Sequence, residues 1–97
     1  MKDNAGRTAL HHAVFMENNQ VLMCQKLIQF GADVNAKDLD NRTPLHHAAE
    51  AGKMRVIPIL IQRGALPNHK DSYTDKTPLE LAANEKIKEL IVAYCAP

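Results

Sequence analysis

Three hexamers decide the reading of this chain: Thr8-Ala9-Leu10-His11-His12-Ala13, Thr43-Pro44-Leu45-His46-His47-Ala48 and Thr77-Pro78-Leu79-Glu80-Leu81-Ala82. Thr8 and Thr43 lie 35 positions apart, and Thr43 and Thr77 lie 34 apart. Self-similarity at a period of about 20 to 50 residues marks a stacked-repeat architecture. Each hexamer has the chemistry of a helix start. The threonine hydroxyl accepts an orphan N–H two or three residues on, and Pro44 and Pro78 take the first helical position, where a missing N–H costs nothing. Leu10, Ala13 and Val14, like Leu45, Ala48 and Ala49, then mark one apolar face of a short first helix. The alanines let neighbouring helices approach closely.

A second marker repeats in phase: Gly31-Ala32-Asp33-Val34-Asn35-Ala36 recurs, weakened, as Gly64-Ala65-Leu66-Pro67-Asn68-His69. The segments 21–28 and 56–61 read as second helices, each stopped by a glycine suited to a left-handed C′ position. Beyond them, residues 33–42 and 66–76 should run as extended arms that turn back as hairpins. Asn41 and Asp75 stand at turn positions whose geometry those residue types tolerate. Leu10 to Gly31 is 21 positions whereas Leu45 to Gly64 is 19, which predicts a longer turn at Glu17-Asn18-Asn19. Pro58 would break a helix interior, so the helix holding it is expected to start near Arg55. The third repeat is about three residues shorter than the others. Its last helix, directly after Asn84, carries several charges on one side, the pattern of a terminal cap.

With the T-P-L-H-x-A hexamer and a downstream G-A-D-V-N, the sequence resembles the ankyrin-repeat family over nearly its full length. The resemblance implies an all-α solenoid of stacked helix-turn-helix units with β-hairpin-like arms. A single domain over 1–97 is expected, with repeats at about 3–37, 38–70 and 71–95. The resemblance also implies that His11 and His46 tie each helix start to the neighbouring hairpin through hydrogen bonds. At the N-terminus no cap pattern is present, which leaves an apolar flank on the first helix pair. Either more repeats or another domain precede this segment, or three repeats suffice.

Composition removes several function classes. Twelve basic and eleven acidic side chains leave a net charge of +1, so no bulk attraction draws the chain to nucleic acid or anionic membrane. Two Tyr, two Phe and no Trp make poor base-stacking platforms. No apolar run approaches the roughly 18 residues of a membrane span, and no signal peptide or anchor is expected. Cys24 and Cys95 lack a partner motif, which points to reduced thiols in an intracellular protein, cytoplasmic or nuclear. Cys24 is expected buried and inert, and Cys95 a frayed terminal thiol. With no phosphate loop, no G-x-S-x-G and no framed carboxylate pair, neither catalysis nor a cofactor is expected. The His11-His12 and His46-His47 pairs are poor chelates, because adjacent helical side chains point about 100° apart.

The family resemblance places partners on the concave face, built from hairpin tips and the exposed side of the first helices. Carried over by position, that surface comprises Asn4, Ala5, Arg7, Phe15 and Met16 in the first repeat. Leu39, Asp40, Arg42, Glu50 and Ala51 follow in the second. Tyr73, Thr74 and Lys76 complete it in the third, where one inserted residue blurs the register, with Asn84 and Glu85 expected next on the helix. Phe15, Met16, Leu39 and Tyr73 are bulky groups at positions that packing does not require to be apolar, and Arg42 and Tyr73 are favoured anchor types. The expectation is a protein–protein interaction module, monomeric or part of a longer chain, that binds another protein or peptide. Its rival is an intramolecular regulatory or spacer segment. Lipid or nucleotide binding is disfavoured by the lack of a basic cluster or phosphate loop. Asn35, after Asp33-Val34, also resembles the asparagine that an oxygen-dependent hydroxylase modifies in many ankyrin domains.

Overall fold

The computed structural model describes residues 4, 6–16 and 20–95. Ala5, the turn expected at Glu17-Asn18-Asn19 and the side chain of Cys95 lie outside what is described. Six helices follow one another: α1 (Ala9–Val14), α2 (Gln20–Gln29), α3 (Pro44–Ala51), α4 (Val56–Gln62), α5 (Pro78–Leu81) and α6 (Glu85–Cys95). They pack as pairs, α1 with α2, α3 with α4 and α5 with α6. The pairs stack so that first helices touch first helices and second helices touch second helices. Among the described residues all regular secondary structure is helical, and the arms between pairs are turns.

The helix starts obey local chemistry. Thr43 Oγ accepts from the His46 N–H at 3.4 Å, and Thr77 Oγ accepts from the Glu80 N–H at 3.2 Å. Pro58 causes no break because α4 begins at Val56 after Arg55, as its composition predicted. The proline thus occupies the first turn, where its missing N–H has no intrahelical partner to lose. Helix ends use a second device. The Gly64 N–H bonds to the Ile61 carbonyl and the Ala65 N–H to that of Leu60, at 3.0 and 2.9 Å. This is a Schellman closure with Gly64 at φ +100°. Gly31 closes α2 in the same way.

Leu10, Ala13 and Val14 of α1 meet Leu45, Ala48 and Ala49 of α3 in the core, all 2% exposed or less. Cys24, Val56, Ile57, Leu60, Ile87 and Ile91 continue it along the second helices. Each of these larger aliphatic side chains contributes roughly 1.5–3 kcal/mol by leaving water. On the first helix pair, Met23 is 38% exposed while Val56, its counterpart in the next repeat, is fully covered.

The third pair departs from expectation. Helix α5 is only Pro78–Leu81, and Asn84 does not continue it. The Asn84 side chain instead accepts the Ile87 N–H at 3.0 Å, capping α6. Asn84 and Glu85 therefore open the second helix and do not extend the surface of the first.

Nothing lies within 4 Å of a Cβ added at Gly64, so only backbone conformation opposes a side chain there. Gly64→Ala should destabilise the chain by about 1 kcal/mol, read as a lower urea midpoint at unchanged slope. An unchanged midpoint would show that the Schellman closure is not needed.

Candidate functional site

The surface that hairpin tips and first helices offer is set by a latch built twice. The Thr8 N–H donates to His11 Nδ1 at 3.1 Å, and the Thr43 N–H donates to His46 Nδ1 at the same distance. A backbone donor can meet only an unprotonated nitrogen, so these partners assign the proton to Nε2 in both rings. That nitrogen then donates across to the next repeat: His11 Nε2 to the Arg42 carbonyl at 3.0 Å, and His46 Nε2 to that of Lys76 at 3.2 Å. The latch implied for His11 and His46 is present. In the third repeat Glu80 takes the histidine position and accepts the Thr77 N–H at 3.0 Å.

Inside each hairpin an aspartate holds the turn. Asp38 Oδ1 accepts the N–H groups of Asp40 and Arg42, both at 2.9 Å. Asp71 Oδ1 accepts the Thr74 N–H at 2.7 Å and the Thr74 hydroxyl at 2.8 Å. Asn41 and Asp75 supply the left-handed residue at φ 61° and 57°. The Asp38 N–H reaches the Arg42 carbonyl and the Asp71 N–H that of Lys76. Arg42 and Lys76 are therefore equivalent, and the inserted residue falls among Ser72, Tyr73 and Thr74. Successive tips touch: the Ser72 N–H donates to the Asp40 carbonyl at 2.8 Å, and a Cβ on Gly6 would come within 3.0 Å of the Leu39 nitrogen.

Arg42 is placed differently from a solvent-facing anchor. It is 7% exposed. Its Nε donates to Asp71 Oδ2 at 2.8 Å, and Nη1 and Nη2 fork onto the Glu50 carboxylate at 3.0 and 3.3 Å. The guanidinium lies 5.8 Å from the centre of the Tyr73 ring. This bidentate geometry suits arginine and would be lost with lysine. Burial pushes the Asp71 carboxyl up, but bonds from Thr74 and Arg42 outweigh it and hold the group well below the usual carboxylate range. Arg42 therefore joins the second repeat to the third.

The remaining expected contacts divide by exposure. Leu39 is 75% and Tyr73 76% exposed at adjacent tips. Asn4, Asp40, Glu50 and Lys76 are exposed, while Arg7 and Thr74 are half-buried. Met16 is exposed, and the half-exposed Phe15 meets His47 edge-to-face with ring centres 5.5 Å apart. Asn35 joins repeats: Nδ2 donates to the Gly64 carbonyl and Oδ1 accepts the Leu66 N–H, both at 2.9 Å.

His47 and Asp38 carry a pairing that sequence reasoning missed. His47 Nε2 donates to Asp38 Oδ2 at 2.9 Å, and both residues are buried. With His11 they offer three ligand atoms within 4.8 Å of one another. The donor set nevertheless suits hydrogen bonding better than a metal. An ion on His11 Nε2 would displace the Arg42 carbonyl and require a proton on Nδ1, where the Thr8 N–H already points. A metal on His47 Nε2 would also break its bond to Asp38.

The family description "Ankyrin repeats (3 copies)" matches residues 16–95. The chain belongs to the ankyrin-repeat family. It is 41% identical over 95 residues to the ADP-ribosylation factor GTPase-activating protein AGD4 of Arabidopsis thaliana, covering 94% of this chain and 12% of that protein. It is 37% identical over 100 residues to inversin of Canis lupus familiaris, covering 99% of this chain and 9% of the other. The solved ankyrin repeat domain of Bcl-3 superposes with a TM-score of 0.84 at 34% identity, over 94% of this chain and 39% of that one. The chain thus spans about a tenth of the two full-length relatives. Ankyrin repeats are protein-interaction modules, and the fold itself is non-enzymatic. Among the described residues no helix is long and apolar enough to cross a membrane. Cys24 is fully buried, which pushes its thiol up to about 11 and leaves it unreactive.

This ankyrin framework makes stability depend on pH. Burial lowers His11 and His46 below their ordinary value of 6.5, against bonds to the Arg42 and Lys76 carbonyls. The unfolded chain therefore binds more protons, and stability falls as pH drops through that value. The melting temperature should decline from about pH 7.5 to about 5.5, and a His11→Gln/His46→Gln variant should show a flatter profile. Asp38 and Asp71, both lowered, add their loss only below about pH 4. A wild-type profile flat above pH 5 would contradict the neutral-latch assignment. Separately, Asp71→Ala strands a mostly buried guanidinium and should cost on the order of 3 kcal/mol in urea denaturation. A loss under about 0.5 kcal/mol would mean that Glu50 alone satisfies Arg42.

Proposed function

We propose that the concave face holds a partner protein or peptide, with Leu39 and Tyr73 as its apolar anchors. One observation carries this reading: two large apolar side chains, each about three-quarters exposed, stand on successive turns that touch through the Ser72 N–H and the Asp40 carbonyl, with backbones pinned by Asp38 and Asp71. Most of both side chains stays in solvent, and a rigid presentation lowers the entropic cost of association. Asn4, Arg7, Phe15, Met16, Asp40, Glu50, Thr74 and Lys76 surround them as rim. Arg42 acts beneath, positioning Glu50 and Tyr73.

A second reading draws on the small share of each relative that this segment covers. In a longer chain the same face would dock on a neighbouring domain of its own polypeptide. An intracellular setting accords with either reading, given the buried unpaired thiol of Cys24. Hydroxylation of Asn35 is a separate proposal, supported by position alone. A native intact mass without one added oxygen would remove it.

Capture from cell extract on immobilised chain, beside a Leu39→Ser/Tyr73→Ala variant, tests the concave face. A true partner should lose at least about tenfold in affinity for the variant. Identical capture by both would sink the assignment and favour the intramolecular role.

A further inference from the structure

Resting on that concave-face reading, we infer that the partner segment is basic: a peptide placing a lysine or arginine beside an aliphatic or aromatic side chain. Arg42, which would otherwise recruit carboxylates, is spoken for twice. Asp71 takes its Nε and Glu50 takes both terminal nitrogens, so the cluster carries one negative charge in excess. Asp71 is enclosed, whereas half of the Glu50 side chain remains in solvent. The surplus charge is thus offered on the Glu50 side, where its carboxylate has lone pairs left for an incoming donor.

The surroundings have the same sign. Asp40 and Asp75 are exposed on the two neighbouring tips, opposed there by Lys76. Across the hairpins and first helices of repeats two and three, residues 38–51 and 70–82, four exposed carboxylates (Asp40, Glu50, Asp75 and Glu80) and the buried Asp38 and Asp71 stand against Arg42, Lys70 and Lys76. The intervening segment 51–69 holds Lys53, Arg55 and Arg63 and no acidic residue. A net charge near zero therefore conceals an acidic inner side and a basic outer segment. That division steers a cationic chain toward Leu39 and Tyr73 and repels an acidic one. Tyr73 completes the fit, since its ring lies over Arg42 on one side and is otherwise largely in solvent. It can take an aliphatic stem or a second cation.

Random peptides displayed on phage are selected on the immobilised chain and counter-selected on the Leu39→Ser/Tyr73→Ala variant, so that only concave-face binders are scored. Lysine or arginine next to an apolar residue should be enriched. A synthesised winner should bind about tenfold more weakly to Asp40→Asn/Glu50→Gln, and more weakly as salt rises. The amide introduced by Glu50→Gln keeps an oxygen for Arg42, and the exposed Asp40 alone provides a second variant should that substitution lower the melting temperature. Winners that are neutral or acidic, or that ignore both charge variants, would overturn the basic-partner inference while leaving the apolar anchors in place. A library yielding nothing that depends on Leu39 and Tyr73 would remove both readings together.

Discussion

A main-chain N–H aimed at an imidazole nitrogen governs this structure. Because Thr8 and Thr43 each present a backbone donor to Nδ1, the ring must be neutral and carry its proton on the far side. The far nitrogen then has one direction in which to donate, toward the hairpin of the next repeat. Helix capping and repeat stacking thereby become a single event: the residue that starts a helix also docks the following turn. The burial of the apolar core that Leu10 and Leu45 belong to drives the stacking, but it is non-directional. The latch fixes where each hairpin sits on the pair before it.

Much of this could be read directly from residue types. The hexamers located every first helix, the glycines located the ends of α2 and α4, and Pro58 placed the start of α4 within a residue. These features succeed because they are local: a cap, a left-handed φ or a missing N–H is decided within four positions of chain. Asn41 and Asp75 belong to the same class.

What escaped the sequence depends on distance in space. Arg42 sits at a position expected to face partners, yet two carboxylates 8 and 29 positions away draw it inward. His47 belongs to no local motif, yet Asp38 and the rings of His11 and Phe15 close around it. Asn84 stands directly before the last helix, as the charge pattern indicates, and the surface carried over from the first helix fails there because α5 ends after one turn. The insertion in the third hairpin could be counted but not placed, since only the Asp71-to-Lys76 closure shows where the extra residue bulges.

The latch accepts on carbonyl oxygens, which every amino acid possesses. At Lys76 the hydrogen bonds of the scaffold use only that oxygen, so mutation can rewrite the exposed side chain without touching the fold. Arg42 offers the same oxygen but has also surrendered its side chain to the framework. Under selection the two equivalent positions would age differently: one free to drift with a changing partner, the other held in place by the architecture behind it.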